Sequence, residues 1–318
     1  MVKVGIIGGG GYTAGELIRL LINHPNVNII FVHSYSNARN KIIDIHTGLI
    51  GEMDLIFSDS YDLNEIDVLF LCSAHGDSKK FIETHTIHTE LKIIDLSIDF
   101  RHKENAGGFV YGLPELNKEI IRKAQYIANP GCFATAVQLA LLPLAKKNLL
   151  RSEIHINAIT GSTGAGVRPT ASSHFSWRNN NISVYKAFTH QHLKEITESL
   201  NYEPSRFNFI PVRGNFSRGI FATVYTESNL DIKDAVQIYS NYYEDSAFTF
   251  ISDKNPDLKQ VINTNKCILH LEKHGNKLFI ISIIDNLLKG ASGQAVQNFN
   301  LICGLNEKTG LFLKANAF

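Results

Sequence analysis

Of the four cysteines in this chain of 318 residues, one stands where a thiol can do chemistry. Cys132 follows Asn129-Pro130-Gly131 and precedes Phe133-Ala134-Thr135-Ala136. Residues 125–128 read as a short strand, and apolar residues recur at helical spacing from Phe133 to Lys147, with Pro143 marking a kink. Asn-Pro-Gly is turn chemistry, since Pro fixes φ and Gly accepts backbone angles closed to other residues. The pattern predicts a sharp strand-to-helix turn, with Cys132 at or beside the first helical position. Unsatisfied N–H groups and the helix dipole favour an anion there, so they promote a thiolate and can hold an oxyanion. A free cysteine is more often a buried packing residue, and Cys72 and Cys267, inside strand patterns, are read that way. The turn marks Cys132 as a nucleophile.

A second constellation opens the chain. Gly8-Gly9-Gly10-Gly11-Tyr12-Thr13-Ala14-Gly15 lies between an apolar strand, residues 2–7, and a helical pattern over residues 16–22. Gly9-x-Gly11-x-x-Ala14 fits the dinucleotide fingerprint G-x-G-x-x-A, in which glycines let the backbone approach a pyrophosphate resting on the helix N-terminus. The next strand, residues 27–32, ends near the adenosine ribose, where an NAD enzyme normally carries Asp or Glu. Here the chain reads His33-Ser34-Tyr35-Ser36-Asn37-Ala38-Arg39-Asn40-Lys41. Hydroxyls of Ser34 and Ser36 followed by the cations Arg39 and Lys41 suit a 2′-phosphate, so the expected cofactor is NADP. A solvated basic loop is the plain alternative.

The elements that must position these residues follow from periodicity. Short apolar strands at residues 68–72 and 92–96 alternate with helical patterns, which indicates a parallel, doubly wound sheet. Ser73-Ala74-His75-Gly76 lies at the carboxyl end of one such strand, where these sheets bind ligands. Arg101 can clamp a carboxylate or phosphate bidentately, or form a surface ion pair of little consequence. From about Ser152 the segments lengthen and alternate, as in residues 154–159, 219–225, 267–271 and 278–284. A mostly antiparallel sheet is expected, with a helix over residues 231–243. The loop from Thr160 to Pro169 is rich in Gly, Ser and Thr and could turn N–H groups toward an anion. His190-Gln191-His192 reads as strand, which puts both imidazoles on one face. No companion has ligand spacing, so no metal is expected.

Composition bounds the rest. Thirty-one Lys and Arg against thirty Asp and Glu give a net charge of +1, which makes no electrostatic case for nucleic acid or an acidic membrane. The cysteines form no CxxC pair, which argues for a reducing compartment. The first strand begins at Val2, and no apolar run is long enough to span a bilayer. A cytoplasmic protein of two domains is expected.

NPGCFATA, together with GGGGYTAGEL and YGLPEL, resembles the N-acetyl-γ-glutamyl-phosphate reductases, relatives of aspartate-semialdehyde dehydrogenase. The likeness runs on through Ala74-His75-Gly76-Asp77-Ser78, Gly161 to Gly166, Arg218-Gly219-Ile220 and Lys289 to Asn298. The chain departs from the family at Gly10 and Ala14, where a Ser and a Gly are usual, and in Arg213 to Ser217, which looks like an insertion.

The resemblance implies a Rossmann-type NADP-binding domain (residues 1–150 and 288–318) and an α+β substrate, catalytic and dimerisation domain (151–287). It implies NADPH-dependent reduction of an acyl phosphate through a Cys132 thioester, in arginine biosynthesis, by a homodimer or homotetramer. His192 takes the acid–base role by resemblance; the residue pattern alone does not separate it from His190. Cofactor contacts fall on Gly8, Gly9, Gly11, Tyr12, Thr13, Ala14, Ala74, His75, Gly76, Gly164, Gly290 and Asn298, besides the Ser34 to Lys41 loop. Substrate contacts fall on Arg101, Glu115, Ser162, His190 and either Arg213 or Arg218. Cys303, on the family's terminal helix, is packing. The rivals are the same chemistry on an N-succinyl, carrier-linked or aspartyl phosphate, and a non-catalytic NADP-binding sensor.

Overall fold

Val68-Leu69-Phe70-Leu71 shows no polar alternation, and strands of that kind need cover on both faces. In the computed structural model, which describes residues 1–316, this run is fully buried within a six-stranded sheet. Its strands are β1 (Val2–Ile7), β2 (Val27–His33), β3 (Val68–Leu71), β4 (Lys92–Asp95), β5 (Val110–Tyr111) and β6 (Tyr126–Ala128). They lie in the order β2-β1-β3-β4-β6-β5 with every pairing parallel, so the expected doubly wound sheet is present. The order reverses at β1, and such a switch point opens a crevice at the carboxyl ends of β1 and β3. The helix Tyr12–Leu21 follows β1 and buries Ala14, Leu17, Ile18, Leu20 and Leu21. The helix Gly293–Ile302 is buried throughout and packs on Tyr12–Leu21 and on the helix Pro114–Ile121. These elements form one compact unit, Met1–Pro130 with Ala291–Phe312.

A second compact unit runs from Gly131 to Gly290, with residues 313–316. Its sheet comprises β7 (Ile154–Thr160), β8 (Ser183–Val184), β9 (Phe207–Arg213), β10 (Ile220–Glu227), β11 (Thr249–Ile251), β12 (Cys267–His274) and β13 (Lys277–Ile284). The order is β11-β12-β13-β10-β7-β9-β8. β10 runs antiparallel to β13 and β7, as do β12 to β13 and β8 to β9, while β11–β12 and β7–β9 are parallel. Alternation puts Ile220, Ala222, Val224, Ile280, Ser282 and Ile284 in the core.

The helix Cys132–Lys146 packs on this sheet, and every side chain from Phe133 to Leu144 is buried, as an all-round apolar helix requires. The helix continues through Pro143 instead of breaking there. Pro143 has no N–H to give the Leu139 carbonyl, and the Tyr243 hydroxyl donates to that carbonyl in its place. Tyr239 does the same for Ala140. Ser282 Oγ donates to Ala136 O at 2.8 Å, which pins the helix near its start. Among the described residues no helix is long and apolar enough to cross a membrane.

Candidate active site

Cys132 is the first residue of its helix, as the Asn-Pro-Gly turn implied. Gly131, the N-cap, has φ −72° and ψ 151°, an ordinary extended conformation, so the turn does not use glycine for unusual angles. Gly131 has no side chain with which to cap this N-terminus. The Gly131 N–H instead donates to Glu195 Oε1 at 2.7 Å, and Glu195 is 1% exposed. Behind the thiol, a Cβ on Gly290 would lie 2.8 Å from Cys132 Cβ, so only glycine fits there.

His190 and His192 do not share a strand face. His192 opens the helix His192–Leu200, and His190 lies in the turn before it. The helical spacing of Leu193, Ile196 and Leu200 competes with the alternation of His190 and His192, and it wins. Both imidazoles are buried, with ring centroids 4.7 Å apart. His190 Nδ1 accepts the His192 backbone N–H at 3.2 Å, so neutral His190 carries its proton on Nε2. Its ring packs edge-on against Phe133 at 5.3 Å and Phe209 at 5.5 Å. Burial, with Lys186 nearby, pulls the His190 pKa down to about 4. Among the described residues no group of His, Cys, Asp and Glu could hold a metal ion.

The two arginines separate. Arg218 is bound to the buried carboxylate of Asp285, through Nε at 3.1 Å and Nη2 at 3.2 Å. Asp285 also accepts the N–H groups of Asn263, Leu287 and Leu288. Arg213 instead stacks on the Tyr185 ring, 4.6 Å from its centroid. Burial, reinforced by the charge of Cys132, raises the Tyr185 hydroxyl to about 12, which puts Tyr185 and Arg213 in the electrostatic neighbourhood of the thiol. Ser162 and Gly164 lie in a short helical turn whose N–H groups are already spent. Ser162 N donates to Phe216 O at 2.9 Å, Thr163 N to Ser217 O at 3.1 Å and Gly164 N to Gly161 O at 3.4 Å. The expected anion cradle is therefore not formed by these amides.

In the first unit the glycine loop is built for close approach. Gly8 has φ +84°, and a Cβ there would meet the Cys72 carbonyl carbon at 2.6 Å, where β1 and β3 end. Gly11 caps the helix Tyr12–Leu21 with no side-chain bond, and nothing lies within 4 Å of a Cβ placed on it. Tyr12, Thr13 and Ala14 form the first turn of that helix. Ala74, His75 and Gly76 are exposed at the end of β3, and Asp99 accepts the Gly76 N–H at 2.7 Å. Ser34 is buried and accepts from Asn37 Nδ2 at 3.1 Å, whereas Ser36, Arg39 and Lys41 are exposed.

Arg101 is nearly buried: Nε donates to Asn129 O and Nη2 to Leu96 O, both at 2.8 Å. It therefore braces the turn before Cys132. Glu115 is half-buried in the first turn of Pro114–Ile121. Asn298 is fully buried; Nδ2 donates to Gly112 O at 2.8 Å and to Asn129 Oδ1 at 3.0 Å, while Oδ1 has no hydrogen-bond partner. The sequence reading does not find Glu195: it takes His190-Gln191-His192 as strand and assigns no element to the residues after it.

Two family models match the chain: "Semialdehyde dehydrogenase, NAD binding domain" over residues 3–124 and "Semialdehyde dehydrogenase, dimerisation domain" over residues 132–286. The fold is thus that of the semialdehyde dehydrogenase family, to which the chain belongs. Solved relatives agree in fold: aspartate semialdehyde dehydrogenase II of Vibrio cholerae, complexed with ASA, superposes with TM-score 0.73 over 96% of this chain and 98% of that one, at 18% identity. The aspartate semialdehyde dehydrogenase of Candida albicans, solved with NADP, gives 0.72 over 95% and 98%, at 14% identity. Sequence relatives narrow the family. N-acetyl-gamma-glutamyl-phosphate reductases of Parabacteroides distasonis and Phocaeicola vulgatus are 63% and 61% identical, and each alignment covers both chains completely. The chain belongs with the N-acetyl-γ-glutamyl-phosphate reductases.

Proposed function

We propose that this enzyme uses NADPH to reduce N-acetyl-γ-glutamyl phosphate to N-acetylglutamate semialdehyde, releasing phosphate, as a cytoplasmic step of arginine biosynthesis. The observation that carries the reading is Cys132 as the first residue of a buried helix, directly after the Asn129-Pro130-Gly131 turn. The substrate comes from the name its relatives share. The matched dimerisation domain supports a homodimer or homotetramer.

The first unit fits a dinucleotide. The bare N-terminus at Gly11 suits a pyrophosphate, and the orphaned Asn298 Oδ1 suits a donor such as a nicotinamide carboxamide. Ser36, Arg39 and Lys41 would meet the 2′-phosphate. When bound, the nicotinamide supplies the hydride.

The chain's own residues do the rest. Cys132 Sγ, as thiolate, attacks the acyl carbon; the bond to the phosphate oxygen breaks and a thioester remains. N–H groups of the first helical turn hold the tetrahedral oxyanion, and Arg213 balances the phosphate charge. After hydride addition at the thioester carbon, His192 protonates the oxyanion. It then takes that proton back as the C–S bond breaks, giving aldehyde and regenerated thiolate. The weak proton affinity of His190 favours His192 as carrier. A second reading gives the role to His190, whose ring lies nearer Phe133, at 5.3 Å against 6.3 Å for His192.

The test compares NADPH oxidation and phosphate release on N-acetyl-γ-glutamyl, N-succinyl-γ-glutamyl and β-aspartyl phosphates. The acetyl compound should be the best, with one phosphate released per NADPH oxidised. A faster rate on either rival would reassign the substrate, and no turnover on any of them would leave only a cofactor-binding protein.

A further inference from the structure

The carboxylate that the sequence lacks after β2 is supplied from elsewhere in the chain. Residues 56–58 pair with the end of β2 and the loop after it: Ile56 bridges Lys41, Ser58 forms a parallel bridge with His33, and the Ser58 N–H donates to Val32 O at 2.9 Å. His33 Nδ1 bonds Ser58 O at 2.9 Å. Asp59 thus follows the residue bridged to the last residue of β2, beside the loop where an NAD enzyme carries its ribose-binding acid. The segment also touches the glycine loop, since a Cβ on Gly9 would come within 2.9 Å of the Phe57 ring.

Arg39 covers this carboxylate. Its N–H donates to Phe57 O at 2.8 Å and its Nε to Asp59 Oδ2 at 2.8 Å. It does so from φ +69°, a left-handed conformation that a long side chain seldom adopts. Strain of that kind concentrates at functional sites. The pair stays accessible, with the two side chains 82% and 46% exposed.

We propose that Arg39 and Asp59 together set how the enzyme distinguishes a 2′-phosphate from a 2′-hydroxyl on the cofactor ribose. Arg39 attracts the phosphate and masks Asp59; Asp59 repels the phosphate and, once unmasked, accepts from the hydroxyl. The inference rests on the NADPH reading above. It makes Asp59 a specificity residue.

The test is equilibrium binding of NADPH and NADH, read by fluorescence, to the full-length parent and to Arg39→Gly, Asp59→Asn and the double variant. Glycine is chosen because φ +69° suits it. Arg39→Gly should weaken NADPH about tenfold and tighten NADH about threefold. Asp59→Asn should tighten NADPH about threefold and leave NADH nearly unchanged, since Arg39 masks Asp59 in the parent. The double variant should lose the gain in NADH. The inference is overturned if Arg39→Gly leaves NADH binding unchanged, or if Asp59→Asn weakens both cofactors alike. Equal affinities in the parent would defeat the NADPH preference alone; opposite shifts of the ratio in the two single variants would still support the pair.

Discussion

Glu195 Oε1 accepts the Gly131 N–H at 2.7 Å, one residue before Cys132. A buried carboxylate thus occupies the helix N-terminus from which the thiol projects, and the helix dipole stabilises its charge. Glu195 is also three residues beyond His192 on one helix, a spacing that puts the two on neighbouring positions of its surface. An anion so placed favours protonated imidazole. Glu195→Gln keeps an oxygen for Gly131 but loses the charge. It should lower kcat about tenfold, roughly 1.4 kcal/mol in barrier, and move the alkaline limb of the kcat profile to lower pH, with little change in Tm. Parent kcat and an unmoved profile would reduce Glu195 to a cap.

Cys132→Ala should abolish semialdehyde formation and leave NADPH affinity nearly unchanged, since the thiol is the only atom removed. Cys132→Ser should keep at most a trace, because a hydroxyl is scarcely ionised near neutral pH. Turnover by Cys132→Ala at even a tenth of the parent rate, about 1.4 kcal/mol in barrier, would rule out a covalent thioester.

The parts legible in the sequence are those whose cues lie within a few residues of one another. The glycine loop after β1 and the turn before Cys132 are each a strand, a turn and a helix start in succession. What was hidden depends on partners distant in the chain. Pro143 is tolerated because Tyr243 serves the Leu139 carbonyl, and nothing near Pro143 announces that. Asp59 is brought to the end of β2 by the Ser58–His33 bridge, from far along the chain. The strand reading of His190 and His192 hid Glu195, although Leu193, Ile196 and Leu200 carried a helical signal.

Arg213 and Arg218 should fail in different ways. Arg218→Ala strips a cation from Asp285, a fully buried carboxylate whose remaining bonds are to backbone N–H groups. Breaking such a pair should cost about 3 kcal/mol of stability, read as a lower urea midpoint. Arg213→Ala loses a stacked cation beside Tyr185 and should leave the midpoint close to the parent's while raising KM for the acyl phosphate. A stable Arg218→Ala with a raised KM would exchange the two assignments.

The histidines are separated by kinetics. A positioned acid–base typically contributes about a hundredfold in rate, so His192→Asn should lower kcat by about that factor and slow alkylation of Cys132. His190→Asn should mainly raise KM, as loss of a contact common to ground and transition states does. A large kcat loss in His190→Asn with only a KM change in His192→Asn would transfer the proton to His190. Unchanged kcat in both would put the shuttle elsewhere.

His190 should also leave a mark on acid stability. Its pKa is about 4 in the fold, lowered first by burial and then by Lys186, against about 6.5 in an unfolded chain. Between those values the unfolded chain binds a proton that the folded chain does not, so stability falls as pH falls. The contribution is complete above about pH 6.5 and drains away toward pH 4. His190→Gln removes the titration and keeps a polar side chain of similar reach. Its unfolding free energy, from urea titrations at pH 7.5 and pH 5, should be lower than the parent's at the higher pH. It should then lose distinctly less than the parent between the two. Equal losses in parent and variant would mean that the His190 ring is protonated in the folded state near pH 6, and that burial among Phe133, Phe209 and Tyr185 does not exclude its charge.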